Sequence, residues 1–95
     1  MTSLPPITLD THLRPAPQAH SRLLNHEAVV VRPDRGEIKV LNEVGARIWA
    51  LSDGTHSVRD IIAILCAEYD VTNDSAEADV LAFAAELQSM GLLTI

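Results

Sequence analysis

The nitrogen and sulfur ligands that zinc prefers are provided in this sequence by four histidines and one cysteine: His12, His20, His26, His56 and Cys66. Such zinc sites combine two closely spaced ligand pairs, and these five residues do not provide two such pairs. A single cysteine provides neither a thiolate cluster nor an internal disulfide. We therefore interpret the histidines as surface or loop residues, and we expect no bound metal and no cofactor.

Covalent catalysis by Cys66 would need a nearby base and an electropositive environment that holds the thiol as a thiolate. Cys66 instead lies at the edge of an apolar helical stripe, with Glu68 and Asp70 close by in sequence. The other carboxylates are spread along helix faces, which is typical of a solvated surface, and so short a chain has little room for a cleft that buries a substrate. The sequence therefore predicts that the protein is not an enzyme.

Composition limits the size and the partners of the protein. With 95 residues, of which 47% are hydrophobic, the chain can build one small core, close to the size at which a lone domain is marginal. Self-association into a homodimer is therefore left open. The net charge is -6, and residues 53–95 carry eight carboxylates against one arginine, which repels phosphate and anionic lipid. Without a signal peptide or an apolar run of about 20 residues, we expect a soluble cytoplasmic protein that has no membrane partner.

Proline content sets the first residues apart from the rest. Residues 1–20 hold four of the five prolines and show little periodicity, so we predict a flexible N-terminal arm, with residues 11–14 as a candidate edge strand. The remaining residues, 21–95, are expected to form the folded domain.

A β-hairpin is predicted over residues 22–41. Residues rich in β-branched side chains come first, a turn-forming Asp-Arg-Gly follows, and the stretch Glu-Ile-Lys-Val-Leu then alternates polar and apolar positions. This second strand, Glu37–Leu41, directs Ile38 and Val40 to one face and its other three residues to the opposite face.

Three amphipathic helices are predicted after the hairpin. Their N-terminal caps are expected to be Asn42, a capping box of Ser57 and Asp60, and Asp74 or Ser75. Glu43 and Arg47 are expected to form an exposed ion pair. In the third helix the inner stripe is predicted to consist of Ala76, Val80, Phe83, Leu87 and Met90, bordered by Asp79 and Glu86. The fold class is thus α+β and winged helix-turn-helix-like, with an N-terminal β-hairpin or three-stranded sheet packed on three helices.

Many winged-helix proteins bind DNA, but the charges of this sequence argue against DNA binding. Residues 72–95 contain no lysine or arginine and four carboxylates, whereas recognition helices need cations at phosphates.

Recognition of another protein chain is the class of function that remains. The strand Glu37–Leu41 can accept an extended peptide through main-chain hydrogen bonds if it lies at the edge of its sheet. The residues by themselves leave open whether it is such an edge or only half of a hairpin.

Two segments, VLNEVGARIWALSDGTHSVRDIIAILCAEYDV and DVLAFAAELQSMGLL, carry a family resemblance that extends over residues 23–95. The matching positions are Leu41-Asn42, Ile48-Trp49, Asp53-Gly54, Tyr69-Asp70-Val71, Asp79-Val80 with Phe83, and Gly91-Leu92-Leu93. In this order and spacing the chain resembles the PqqD family, the peptide chaperones of pyrroloquinoline quinone biosynthesis, and the related recognition elements of ribosomally made, modified peptides.

This resemblance implies a non-catalytic peptide chaperone that binds the leader of a precursor peptide and presents it to a modifying enzyme, often a radical SAM enzyme. The leader would add as a strand beside the last hairpin strand, in a groove walled by the third helix. The peptide-binding residues implied are Glu37, Ile38, Lys39, Val40, Leu41, Asp79, Val80, Phe83, Glu86, Leu87 and Met90. For Val80, Phe83 and Leu87, ordinary core packing is the alternative.

A second function stays open beside this one, a winged-helix adaptor or regulator that binds a basic protein through the acidic C-terminal half. A free-standing form is expected, because the chain begins with Met1 and ends soon after the closing Gly-Leu-Leu. No nucleic acid partner is expected in either case.

Overall fold

Three helices and two small antiparallel sheets make up the part of the chain that our computed structural model describes, residues 4–95. In chain order the elements are β1 (Arg14–Pro15), β2 (His20–Leu24), β3 (Glu27–Arg32), β4 (Glu37–Leu41), α1 (Glu43–Leu51), α2 (Val58–Glu68), α3 (Asn73–Ser89) and β5 (Leu93–Thr94). The mixed α+β class is confirmed, in its three-stranded form.

The larger sheet has the order β2-β3-β4, so that β3 is central and both β2 and β4 are edge strands. Ala28 and Val30 of β3 have no exposed surface, because the helices cover that face of the sheet. A tight turn at Asn25 and His26 joins β2 to β3, with Asn25 at a φ of 59°, a left-handed conformation that asparagine tolerates better than most residues. The strand order answers the question that the sequence left open, because it places Glu37–Leu41 at an edge of the sheet.

Local hydrogen bonds account for where the helices begin. The Asn42 side chain accepts a bond from the Gly45 N–H at 2.9 Å, which confirms the predicted cap of α1. The reciprocal bonds of a capping box join Ser57 and Asp60 at the start of α2, also as predicted. The predicted cap of α3 was wrong by two or three residues. Thr72 is the cap, because its hydroxyl accepts the bond from the backbone N–H of Ser75 that would otherwise have no partner.

The buried face of α3 also differs from the predicted stripe. Ala84 has no exposed surface, whereas Phe83 and Met90 are only half-buried at the margin of the helix. Ala84 lies one helical turn after Val80 and three residues before Leu87, so it shares their buried face, whereas Phe83 and Met90 lie at the border of that face.

The predicted ion pair between Glu43 and Arg47 does not form. Arg47 instead donates two bonds to the carboxylate of Glu68 on α2, at 2.8 and 2.7 Å. Two parallel bonds between a guanidinium and a carboxylate are stronger than the single contact that neighbours on one helix can make. The hydrogen bond from Arg47 holds the pKa of Glu68 below its usual value.

The described part of the N-terminal segment lies against the helical body. Leu13 is 1% exposed and belongs to the core, and β1 pairs with β5. The carbonyl of Thr11 accepts a bond from the Val58 N–H at 2.8 Å. Flexibility of the arm 1–20 stays a prediction, and its first three residues lie outside the described part. None of the helices in residues 4–95 has both the length and the apolar character that crossing a bilayer requires.

Candidate functional site

The outer edge of β4 presents main-chain groups that no other strand of the described chain uses. A two-residue turn makes Leu24 and Glu27 a hydrogen-bonded pair, and successive residues of an antiparallel strand direct their main-chain groups to opposite sides. Glu27 therefore faces β2, and Ala28 faces β4, where its partner is Leu41. Every second residue of β4, counted back from Leu41, is consequently bonded to β3.

The remaining two residues of β4, Ile38 and Val40, direct their N–H and C=O groups away from the sheet. Their side chains are 67% and 61% exposed, although both are large and apolar. An edge with free main-chain donors and acceptors and exposed apolar side chains can accept an additional strand. This edge is the first part of the candidate site.

A depression of about 310 Å³ adjoins the C-terminal end of β4, and we refer to it as the α1–α3 pocket. Its lining residues are Asn42, Val44, Gly45, Ile48, Asp79 and Phe83. The first four belong to the start of α1 and its cap, and the last two to the exposed margin of α3. The pocket can hold an apolar side chain, and Asp79 provides a hydrogen-bond acceptor beside it.

Gly45 lets the start of α1 lie close to the end of β4. A Cβ atom at this position would be 3.3 Å from Oδ1 of Asn42 and 3.4 Å from Cβ of Leu41. The first distance is short for a Cβ atom, whereas the second is ordinary van der Waals contact. A side chain at position 45 would therefore press against the Asn42 oxygen, which is fixed by its capping bond, and would narrow the α1–α3 pocket.

One ion pair connects β4 directly to α3. The Nζ atom of Lys39 lies 2.6 Å from Oε1 of Glu86, and the two side chains are 32% and 51% exposed. Asp79, one helical turn before Phe83, makes no ion pair among the described residues. The margin of α3 thus offers one neutralised carboxylate and one available carboxylate along the same side of β4.

The structure brings most of the predicted peptide-binding residues together at the surface and encloses the side chains of three of them, Leu41, Val80 and Leu87, in the core. Val80 and Leu87 have no exposed surface, so a peptide at the surface cannot contact their side chains. They belong to the core, the alternative already considered for them, because they lie on the face of α3 that packs against α2. Met90 is half-buried near the C-terminal end of the helix, beyond Glu86.

Sequence reasoning missed the contribution of α1 to the site. Asn42 was predicted only as a helix cap, and neither Val44 nor Ile48 was predicted to take part in binding. Ile48 is only 2% exposed, yet it forms the base of the α1–α3 pocket. No sequence signal identifies this pocket, because it exists only where two helices distant in sequence diverge.

In residues 4–95, the histidines and the cysteine do not lie at the α1–α3 pocket. His56 lies at the turn between α1 and α2, where its Nδ1 atom is 3.3 Å from Oδ1 of Asp53. Bonds from the hydroxyl and the N–H of Thr55 lower the pKa of Asp53 to about 2, so this carboxylate stays ionised and holds the turn. Within residues 4–95, no three histidine, cysteine or acidic side chains converge as a metal site.

Comparison with known proteins gives one matching family model and similar solved structures. The family model described as coenzyme PQQ synthesis protein D (PqqD) matches residues 27–93. The solved structure of TbiB1 in complex with the TbiA(beta) leader peptide is similar with a TM-score of 0.78 and 29% identity, over 84% of this chain and 93% of that chain. A lasso peptide synthetase B1 complexed with the leader peptide is similar with a TM-score of 0.80 and 26% identity, over 90% and 100% of the two chains. No curated protein sequence matches this chain.

Proposed function

This chain belongs to the PqqD family, and we propose that it is a non-catalytic peptide chaperone that binds the leader of a ribosomally synthesised precursor peptide. The leader adds to β4 as a further strand, and its side chains on the helix side occupy the α1–α3 pocket. The chain then presents the precursor to the enzyme that modifies it.

One observation carries this proposal, the free edge of β4 beside an apolar pocket. Ile38 and Val40 offer two donors and two acceptors to an incoming strand, and the pocket gives specificity for one of its side chains. The two similar structures support it, because each is a complex with a leader peptide. Ordering a flexible peptide costs conformational entropy, so we expect moderate affinity.

The partners of the complex belong to the same proposal. We propose that the modifying enzyme binds the loaded chain, with a radical SAM enzyme as one candidate class and pyrroloquinoline quinone synthesis as one candidate pathway. The proposal also includes a winged-helix arrangement of the sheet and helices, which a comparison of helix geometry would test. It further includes a homodimer formed through an edge strand, which a concentration series of molar mass would test.

Amide hydrogen exchange, followed residue by residue by NMR, tests strand addition. The probe is a synthetic leader peptide, taken from a short precursor-like reading frame that is to be sought in the neighbourhood of the gene. We expect its binding to slow exchange of the Ile38 and Val40 amides by about tenfold or more, because both gain a hydrogen bond. The Lys39 amide, already bonded to β3, should change little. Binding that leaves the Ile38 and Val40 amides unchanged would contradict the proposed mode.

The alternative function, an adaptor that binds a basic protein, is favoured by the absence of lysine and arginine from residues 72–95. Salt separates the two functions. Contacts through exposed carboxylates weaken strongly as ionic strength rises, whereas main-chain pairing and apolar burial do not. The dissociation constant of the complex with the synthetic leader peptide is measured at several salt concentrations. A value that is nearly independent of salt supports the leader-binding function, and a steep dependence on salt supports the adaptor.

A further inference from the structure

The surface beside β4 changes from apolar to charged over a short distance. At Leu41 it adjoins the α1–α3 pocket with its apolar wall at Phe83. Two residues earlier, on the same face of β4, Lys39 reaches across to α3 and pairs with Glu86. Phe83 and Glu86 are three residues apart on α3 and therefore neighbours on its surface. The apolar pocket and the ion pair thus follow one another along both elements.

We infer that the Lys39–Glu86 pair fixes the register of the leader strand and selects the chemistry of one leader residue, an inference that rests on the proposed function. In a strand added to β4, the residues that face the helices are two positions apart, about 7 Å along the strand. When one of them occupies the α1–α3 pocket, the next lies over Lys39 and Glu86. This spacing is the same for a parallel and an antiparallel leader.

The ion pair favours a polar leader residue at this second position. A large apolar side chain above the pair would remove water from two charged groups without replacing their hydrogen bonds. A hydroxyl or amide side chain can donate to the carboxylate of Glu86 and accept from the ammonium of Lys39. The leader therefore carries a large apolar residue and, two positions away, serine, threonine, asparagine or glutamine. A leader displaced by two residues would put its apolar residue over the ion pair. The cost of removing water from the two charged groups therefore disfavours that register.

Selection from a phage-displayed library of random peptides tests this inference. On the parent protein, we expect enriched sequences with an apolar residue and a polar residue two positions apart. On the double variant Lys39→Leu/Glu86→Leu, we expect an apolar residue at both positions. With individual synthetic peptides, leucine in place of the polar residue should weaken binding to the parent by about tenfold and leave binding to the double variant undiminished.

Two further variants keep the experiment decisive. The exchanged pair Lys39→Glu/Glu86→Lys retains both charges and should retain the parental preference. Glu86→Gln, which keeps the side-chain volume, should reduce the preference by about threefold and serves if the leucine variant fails to fold. Identical selection by the parent and the apolar variant would overturn the inference about register. Peptides that bind equally well to a Val40→Pro variant would overturn the proposed function itself.

Discussion

The two edges of the three-stranded sheet differ in what lies beside them, although each is a free strand of five residues. By the alternation that leaves Ile38 and Val40 outward on β4, Ser21 and Leu23 direct their main-chain groups outward on β2. The side chain of Leu23 lies on the helix side of the sheet, opposite Ala28, whereas that of Ile38 lies on the other face. As hydrogen-bonding surfaces the two edges are therefore nearly equivalent.

Their flanking helices distinguish them. Beside β2 lies a depression of about 220 Å³ lined by α1 and Tyr69, and the Arg47–Glu68 pair runs along it. Beside β4, the α1–α3 pocket has an available carboxylate at Asp79 and a neighbouring cross-connection from Lys39 to α3. Under the proposed function, the leader binds at β4 rather than β2 because of the helix margin beside each edge, since the main-chain groups of the two edges are alike.

Proline substitution at matched positions is the strongest test of this comparison. Val40→Pro removes an outward N–H, so we expect leader affinity to fall by about 100-fold while the β3–β4 ladder stays intact. Ser21→Pro removes the equivalent donor on β2 and should leave affinity unchanged. Lys39→Pro removes a donor that bonds β3 and should unfold the sheet edge. Titration with the labelled leader and thermal unfolding measure these effects.

The comparison fails if Ser21→Pro weakens leader binding as much as Val40→Pro does. It also fails if a folded Val40→Pro protein binds the leader as tightly as the parent.

Truncation of one aromatic side chain on each side is expected to have the next largest effect. Phe83→Ala removes one wall of the α1–α3 pocket, and we expect about tenfold weaker leader binding, since part of a buried aromatic contact is lost. Tyr69→Ala opens the depression beside β2 and should leave the leader affinity unchanged. Calorimetric titration of both folded variants provides the measurement, and an equal loss for the two variants would contradict the assignment.

The smallest expected effect concerns the Arg47–Glu68 pair beside β2 and its contribution to the free energy of unfolding at acidic pH. The lowered pKa of Glu68 means that its bond with Arg47 stabilises the fold above the usual pKa of 4.5 and is lost as pH falls through the lower folded-state value. Glu68→Gln should therefore reduce the dependence of the free energy of unfolding on pH below this point, without affecting leader binding. Because the pair is exposed, we expect the effect to be small. Urea titrations of parent and variant between pH 5 and pH 2 measure it, and unchanged pH dependence would contradict it.

Local patterns were sufficient for most of the secondary structure. The caps at Asn42 and Ser57 were recognisable because each depends on residues within three positions of the cap. Thr72 was missed because three consecutive candidates, Asn73 among them, follow it with similar capping ability. The partner of Arg47 was also missed, because Glu68 is distant in sequence and close only after α1 and α2 have packed.

Apart from the turn at Asn25 and His26, which divides the first predicted strand into β2 and β3, the sequence by itself determined the order of strands before three helices, the strand Glu37–Leu41, the acidic character of α3 and the family. These properties depend on residue type and short spacing. Only the tertiary structure decided that β4 is an edge, that Phe83 lies at the margin of α3, and that Lys39 meets Glu86. The physical reason is that a groove is the space between elements, and its shape depends on how α1, α3 and the sheet pack rather than on any one segment.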